Sequence, residues 1–457
     1  MPGEHGEVTV MLTERQGIIH ADLSVGANVT SAQALLSNSK LSNTGVIPHG
    51  SGMLMSAVEA GAVEADAPLK PYRNGKDLTN SSRNLLVIDC HGLSAEQVRT
   101  QYPKLYQWLI DRVKPERDVN PDKDLREKWW LHRRNNEDMR RALAGLPRYI
   151  ATVMTAKHRV FQFLDGAILP DQMLVVIGLE PDFYLGVLSS QLHIEWALAT
   201  GGTLEDRPRY NKSRCFETFP FPDEDTGLTA PLRERIGQLA EQIDAHRKRV
   251  LAPEAGNAGL TLTGLYNVLA ALREGRALSA KEKTLHTQGL VGVLRELHDE
   301  LDAAVLSAYG LGTDASTDDI LTHLVQLNTQ RAAEEAQGRV RWLRPAFQNP
   351  QKSLQKQELP AQEQQALEAD FDTEISLPKA EQTKPVQHPW PATLPEQVRA
   401  VAEALTRSPA PLTLPALEQQ FKGRGPWKKG LPTLLQTLEA LGRAQAVATE
   451  DGVAWRG

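Results

Sequence analysis

Apolar residues recur along this chain at two spacings, and the switch between them marks its organisation. Residues 149–154, 160–164 and 173–177 are short runs rich in Val, Ile and Phe, separated by Ala156-Lys157-His158 and Asp165-Gly166. Such runs between turn signals predict strands. From Pro231 onward the spacing becomes helical: Leu232, Ile236, Leu239 and Ile243 lie three or four apart, and residues 265–272 repeat the pattern. Leu290, Leu294, Leu297, Leu301 and Val305 trace one stripe that stops at Gly310, Ser279 with Glu282 makes a capping box, and Ser316 opens a last helix to about Gly338.

Upstream the pattern alternates. Ser94 with Gln97 predicts a helix start, and after Pro103 the set Leu105, Leu109, Val113 carries it to Val113, just before Lys114-Pro115. Pro121 suits the first turn of a further helix carrying Leu125, Trp129 and Trp130 to about Gly145. Another helix is expected over 183–199, bounded by Gly201-Gly202 and followed by a proline-punctuated run with Phe216, Phe219 and Phe221. Residues 1–67 are rich in Gly, Ala, Ser and Asn, with turn signals at Ser42-Asn43, His49-Gly50 and Ser51-Gly52. Short strands and loops are expected there.

Residues 348–391 hold 9 Gln and 6 Pro with few core-forming residues, the composition of a flexible linker. Three helices follow, with Val398, Val401 and Leu405, then Leu414, Leu417 and Phe421, then Leu431, Leu434, Leu438 and Leu441. Val447 and Val453 flank an Asp451-Gly452 turn, which predicts a closing hairpin. That order is winged-helix-like. Lys422, Arg424, Lys428 and Lys429 lead into its third helix, where a recognition helix would meet DNA. Protein docking with these residues merely solvated is the equal alternative. The fold class is therefore α+β. It comprises a connector over 1–67, a mixed α/β domain over 68–222, a helical domain over 223–345, a linker over 346–393 and the small module over 394–457.

Charge sharpens this picture. The 457 residues carry 51 Lys and Arg against 57 Asp and Glu, a net of −6, which argues against indiscriminate polyanion binding. Residues 70–159 alone carry 19 basic against 11 acidic side chains, as a localised phosphate-backbone contact requires. Two cysteines, Cys90 and Cys215, supply neither a disulfide framework nor a Cys-rich zinc site. Without an apolar run of about 18 residues, or a basic and apolar N-terminal signal, a cytoplasmic protein with no membrane partner is expected.

Catalytic motifs are not visible. The sequence holds no Walker or dinucleotide glycine loop, no Gly-x-Ser-x-Gly elbow and no zincin-spaced His pair. Neither Asn120-Pro121 nor Asn349-Pro350 continues into the second Pro and aromatic of an amino-methyltransferase, and no acidic residue lies two positions before a Lys. His158, between Lys157 and Arg159, could serve as a general base, but a phosphate contact or a packed residue is the simpler reading. At least one of Trp129 and Trp130 is expected in the core, Cys215 is expected to be structural, and Glu334-Glu335, near Arg331, are expected on a solvated helix face with i,i+4 pairs. No metal ligand set is expected.

A family resemblance rests on ordered short motifs. They are Ser51-Gly52-Met53-Leu54, the run from Pro71 to Leu78 (Pro-Tyr-Arg-Asn-Gly-Lys-Asp-Leu), Tyr102-Pro103, Lys114-Pro115-Glu116-Arg117, Trp129-Trp130 and Arg148-Tyr149-Ile150. Residues 185–190, His193, Trp196, Arg209-Tyr210-Asn211, residues 216–222, Leu265-Tyr266-Asn267, residues 297–302, Ala308-Tyr309-Gly310 and residues 340–345 continue the series. Over 45–345 the chain resembles the target-recognition and helical regions of large adenine-specific DNA methyltransferases, including the single-chain type IIG and type IIL restriction-modification enzymes. The resemblance implies an upstream domain that binds S-adenosylmethionine and methylates an extruded adenine at N6, with the downstream region selecting the sequence. That upstream part is not recognised in this chain. The expectation is sequence-specific recognition of double-stranded DNA, with S-adenosylmethionine in a separate catalytic domain or chain. The alternatives are an enzyme in its own right, with a site outside these motifs, and a protein-interaction or inhibitory module of a phage-defence system. Arg73, Lys76, Arg83, Arg133, Arg134, Arg140, Arg141, Lys157, Arg159, Arg209 and Lys212 are the candidate DNA contacts, each of which could equally be a solvated surface residue.

Overall fold

The computed structural model describes residues 27–80, 82–204, 207–257, 259–350, 388–391, 394–407, 412–422, 427–440, 444–449 and 452–456. The chain divides into two compact units at Pro360. Two four-stranded sheets form the middle of the first. One runs β1 (Ser42–Thr44), β8 (Leu174–Ile177), β5 (Arg148–Val153), β6 (Gln162–Asp165) and is antiparallel throughout. The other runs β2 (Leu54–Met55), β4 (Leu86–Ile88), β3 (Leu69–Arg73), β7 (Leu169–Pro170), with β3 and β7 parallel.

Successive side chains of β5 and β8 enter two different cores. Ile150, Val175 and Ile177, with Phe163 of β6, pack into a helical layer. Tyr149, Ala151, Leu174, Val176 and Leu164 instead join Tyr72 and Val87 of the second sheet. The short helices α1 (Ala57–Ala60) and α2 (Gly75–Thr79) join strands of that sheet. Met55 and Ile88 then pack on α3 (Ala95–Gln101) and α4 (Pro103–Arg112) through Val98, Leu105 and Leu109. The layer order is helices, sheet, sheet, helices. A sheet covered on both faces has to be apolar on both, which is why 174–177 reads Leu-Val-Val-Ile instead of alternating.

Several expected helices are divided. Lys114-Pro115 does not end the helical run, because Pro115 stands in the first turn of α5 (Lys114–Asp118). The helix expected from Pro121 to Gly145 is two, α6 (Lys123–Glu127) and α7 (Glu137–Leu143). Asn136 separates them at φ 53, caps α7 by accepting the Met139 N–H, and donates its Nδ2 to the Thr44 carbonyl at 2.6 Å. A tertiary partner there outweighs helix propensity. The helix expected over 183–199 is likewise α8 (Asp182–Ser189) and α9 (Gln191–Gly201), divided at Ser190, which is extended and whose hydroxyl accepts the His193 N–H.

The helical layer comprises α8, α9, α10 (Ala230–Leu251), α11 (Leu262–Arg273), α12 (Ala280–Gly289), α13 (Val291–Ala308) and α14 (Thr317–Ala336). Both expected serine caps are present, at Ser279 and Ser316. Leu290 stands outside the α13 stripe: it turns the chain between α12 and α13 at φ 47 and is 47% exposed. Trp196, Phe216, Phe219, Ile236, Leu239, Leu294, Leu301 and Leu324 share one core with Ile150 and Phe163, so the seam near residue 222 lies inside a single folded body. A Cβ on Gly186 of α8 would stand 2.8 Å from the Ile236 carbonyl oxygen. Gly186→Ala is therefore expected to destabilise the unit by about 1–3 kcal/mol, measured by denaturant titration. An unchanged midpoint would show that α8 and α10 can part freely.

The entering segment is clamped by the helical layer. The Asn328 carboxamide exchanges hydrogen bonds with the Gln33 backbone at 2.9 and 2.8 Å, and the Glu335 carboxylate accepts the Leu36 and Ser37 N–H groups. Asn38 Nδ2 donates to the Phe216 and Phe219 carbonyls, and Gln348 Nε2 to those of Ser37 and Ser39. Glu334 pairs with Arg331 and Arg341. Glu335 is thus a clamp residue, while Glu334 keeps the expected pairing with Arg331 but on a half-buried rather than a solvated face.

In the second unit, helices Leu394–Arg407, Leu414–Gln419 and Leu431–Ala440 enclose Val401, Leu405, Leu417, Leu431, Leu435 and Leu438. Gln445–Thr449 pairs with Gly452–Arg456, and Leu412–Thr413 adds a third strand on the other side of Gly452–Arg456.

Candidate nucleic-acid interface

The loop between β5 and β6 carries Lys157, His158 and Arg159, and the surrounding chain fixes it from three sides. From within, the Arg159 guanidinium donates to the carbonyls of Val153 and Pro208 and to Thr152 Oγ1. It stacks 5.1 Å from the Tyr210 ring centroid. From one flank, Tyr210 N–H donates to the Met154 carbonyl at 2.7 Å, and Thr155 bridges to Arg209. From the other, Lys157 Nζ and His158 Nε2 both bond Asn267 Oδ1 on α11, at 2.7 and 2.8 Å.

This arrangement divides the expected contacts. Arg159 is 7% exposed, and burial pushes its pKa down to about 10 against the opposing pull of Tyr210 and Cys215. It braces the loop and is not a surface contact. Arg140 is also structural, because both its terminal nitrogens donate to the buried Asp89 carboxylate at 2.9 and 2.7 Å while Nε donates to the Asn135 carbonyl. The common reason is that a guanidinium can satisfy five donors inside a fold as readily as on phosphate.

The other nine lie nearer the surface. Arg83 forks onto Asp77, Arg141 pairs with Asp138, Lys212 with Glu217, and Arg133 stands 4.0 Å from Asp122. Arg73 donates to its neighbour Tyr72's carbonyl and to Asn84 Oδ1. Lys76, Arg134, Lys157 and Arg209 are exposed, with no carboxylate partner recorded among the described residues. Three of these four share one end of the fold. Lys76 stands on α2, whose Gly75 packs against Val153, while Thr79 of α2 lines a small hollow with Lys157 and His158; Arg209 is bridged to the same loop. Arg134 lies apart, with Lys128, Arg133 and Asn135, around a hollow of about 520 Å³.

A larger cleft, of about 760 Å³, is lined by Lys157 and His158 of the loop, Thr263 and Asn267 of α11 and Lys281 of α12. Burial holds the His158 imidazole below its ordinary range; the Asn267 bond opposes this and the Lys157 charge adds to it. Trp129 is in the core, and Trp130 is tied by Nε1 to the Leu93 carbonyl. Cys215 is buried, and burial raises its thiol pKa. Of the second expected patch, Lys422 is exposed and Lys428 pairs with Glu418 at 3.0 Å. Arg424 and the Lys429 side chain lie outside the described residues. Among the described residues there is no cluster of three or more His, Cys, Asp or Glu able to hold a metal ion, and no helix long and apolar enough to cross a membrane.

Asn267, named above only within the Leu265-Tyr266-Asn267 motif and given no role, and the brace Arg247, which donates to the Phe161 carbonyl at 2.8 Å and to the Tyr266 hydroxyl at 3.1 Å, are residues of this site that the sequence did not single out. The signal for Asn267 was a polar residue beside the apolar face of an amphipathic helix, which by itself reads as solvated.

Comparison with known proteins agrees with this region. Residues 28–223 match the family model described as "MmeI, target recognition domain". DNA methyltransferase A of Bacillus subtilis (strain 168) is 26% identical over 162 residues, 35% of this chain and 15% of that protein. Among solved structures, the type IIL restriction-modification enzyme MmeI in complex with DNA superposes with a TM-score of 0.51 at 18% identity. The match covers 68% of this chain and 38% of that one. The chain thus spans well under two thirds of either relative. Residues 28–223 match a target recognition domain of the MmeI kind, on an α+β fold similar to that of the MmeI enzyme.

Proposed function

We propose that residues 27–350 bind duplex DNA and select its sequence as the specificity part of an adenine-N6 methyltransferase or restriction-modification system in the cytoplasm. The observation that carries this reading is the target-recognition match over 28–223, the stretch that holds the braced loop with Lys157 and the neighbouring Lys76 and Arg209. A rigid platform with exposed cations at one end suits phosphate contacts, which fix register while side chains read base edges. The methyl transfer and S-adenosylmethionine belong, on this reading, to a separate catalytic domain or chain. For the second unit we propose the winged-helix reading, with Lys422 an exposed cation among its described residues.

The test is selection of duplexes from a random pool by the full chain, followed by titration of the selected site at several salt concentrations. Binding is expected to weaken steeply with salt. Lys76→Glu, Lys157→Glu and Arg209→Glu should each lower the log–log slope by about one. A flat salt response, or no sequence emerging from the pool, would reject the reading.

A further inference from the structure

We propose that Asn267, a residue of the helical layer, is a positioning residue for DNA recognition: its carboxamide oxygen fixes Lys157 and His158 in the orientation in which their loop meets a duplex. The inference rests on the reading of residues 27–350 as duplex-binding. Its geometric basis is the convergence of two donors from one loop on a single acceptor of another element, Lys157 Nζ at 2.7 Å and His158 Nε2 at 2.8 Å. The β5–β6 ladder ends at Ala151 and Gln162 and the β5–β8 ladder at Val153, with one more bond from the Met154 N–H to the Met173 carbonyl, so the ladders of this sheet do not reach Lys157 and His158. Arg159 holds it from inside and residues 208–210 hold one flank. Asn267 holds the other.

The choice of an amide matters. A neutral oxygen accepts from Lys157 and leaves two ammonium donors and the full charge for a phosphate. It also accepts from an uncharged imidazole. A carboxylate at the same place would neutralise Lys157 and draw a proton onto His158. Around that imidazole stand Lys157 and Arg159 of the loop, Arg273 and Glu274 at the end of α11, Arg276 beyond it, Lys281 and Glu282 of α12, and His298 of α13. Arg276 is committed to Glu282, and Arg273 to Asp299 and Asp302.

Asn267→Asp and Asn267→Ala in the full chain separate positioning from structural support. With the duplex selected above, Asn267→Asp is expected to lower the salt slope by about one, because one phosphate contact loses its charge. Asn267→Ala should keep the slope and weaken binding about two- to tenfold, with the melting temperature of both variants close to that of the parent. The His158 ring, followed by proton NMR with His158→Ala for assignment, should titrate at higher pH in Asn267→Asp than in the parent. An unaltered slope in Asn267→Asp, or affinity losses that merely track lowered melting temperatures in both variants, overturns the proposal. If the parent chain ignores duplex DNA altogether, the functional reading falls with this proposal. The His158 titration then still shows whether the latch itself exists, since identical titration in parent and Asn267→Asp would mean that it does not.

Discussion

Between pH 6.5 and pH 4 the first unit is expected to lose on the order of 6 kcal/mol of stability, through histidines that the fold keeps uncharged. Burial pushes His132 down to about 4, with the Asp89 charge and the Ile88 carbonyl opposing and Arg140 and Arg117 adding to the effect. Burial and the Arg159 charge push His193 down to about 3. His298 is held well below the ordinary value by burial and by Arg247 and Arg273. An unfolded chain takes a proton at each near pH 6.5, and the folded one does not until each lowered value is reached. Over that window the unfolded state binds more protons, so stability falls as pH falls, by about 1.4 kcal/mol per unit for each group. His132 and His193 contribute about 3 kcal/mol each by pH 4, against the 5–15 kcal/mol typical of a folded domain. Denaturant unfolding followed by tryptophan fluorescence at pH 7, 5.5 and 4.5 measures the loss. His132→Gln, which can still donate to the Ile88 carbonyl, should remove the His132 share of the loss, about 3 kcal/mol. A midpoint that does not move between pH 6.5 and 4.5 would mean that the folded protein accommodates these protons.

These histidines also illustrate what could be read from the sequence and what could not. Periodicity carries information about which residues face a core, so the strands at 148–153, 162–165 and 174–177 and helices α10, α11, α13 and α14 were legible in it. Periodicity says nothing about a long-range partner that competes with a helix. Asn136 and Ser190 interrupt predicted helices because each caps the helix that follows it, Asn136 also bonding Thr44, a residue 92 positions away. The charge count marks out a basic segment but cannot sort its members, since a buried Arg159 among carbonyls and an exposed Lys157 two residues earlier are equivalent to it. Composition gives the sign of a surface, and only the fold gives the direction in which each cation points.

That sorting can be tested on the most heavily committed of the segment's ion pairs. Asp89→Asn is expected to destabilise the first unit by about 3–5 kcal/mol, because the Arg140 guanidinium would be left inside the fold without its counter-ion. The Asp89 side chain is 3% exposed and receives Arg140 on both oxygens and Lys70 at 3.2 Å. Although burial opposes ionisation, the Arg140 bonds and the charges of Arg140, His132 and Lys70 hold the carboxyl at about 2. Its contribution is therefore fully present above the ordinary carboxylate range and lost only as pH falls from about 4 to about 2, below the histidine window. Arg140→Met should cost a similar amount by leaving the carboxylate unpaired. Asp89→Leu with Arg140→Met should recover much of the loss, since an apolar pair needs no counter-charge in the interior. The same double variant separates a brace from a contact. If Arg140 serves the fold, DNA affinity and its salt slope stay at the parent value once stability is restored. A slope reduced by about one in the refolded double variant would return Arg140 to the duplex.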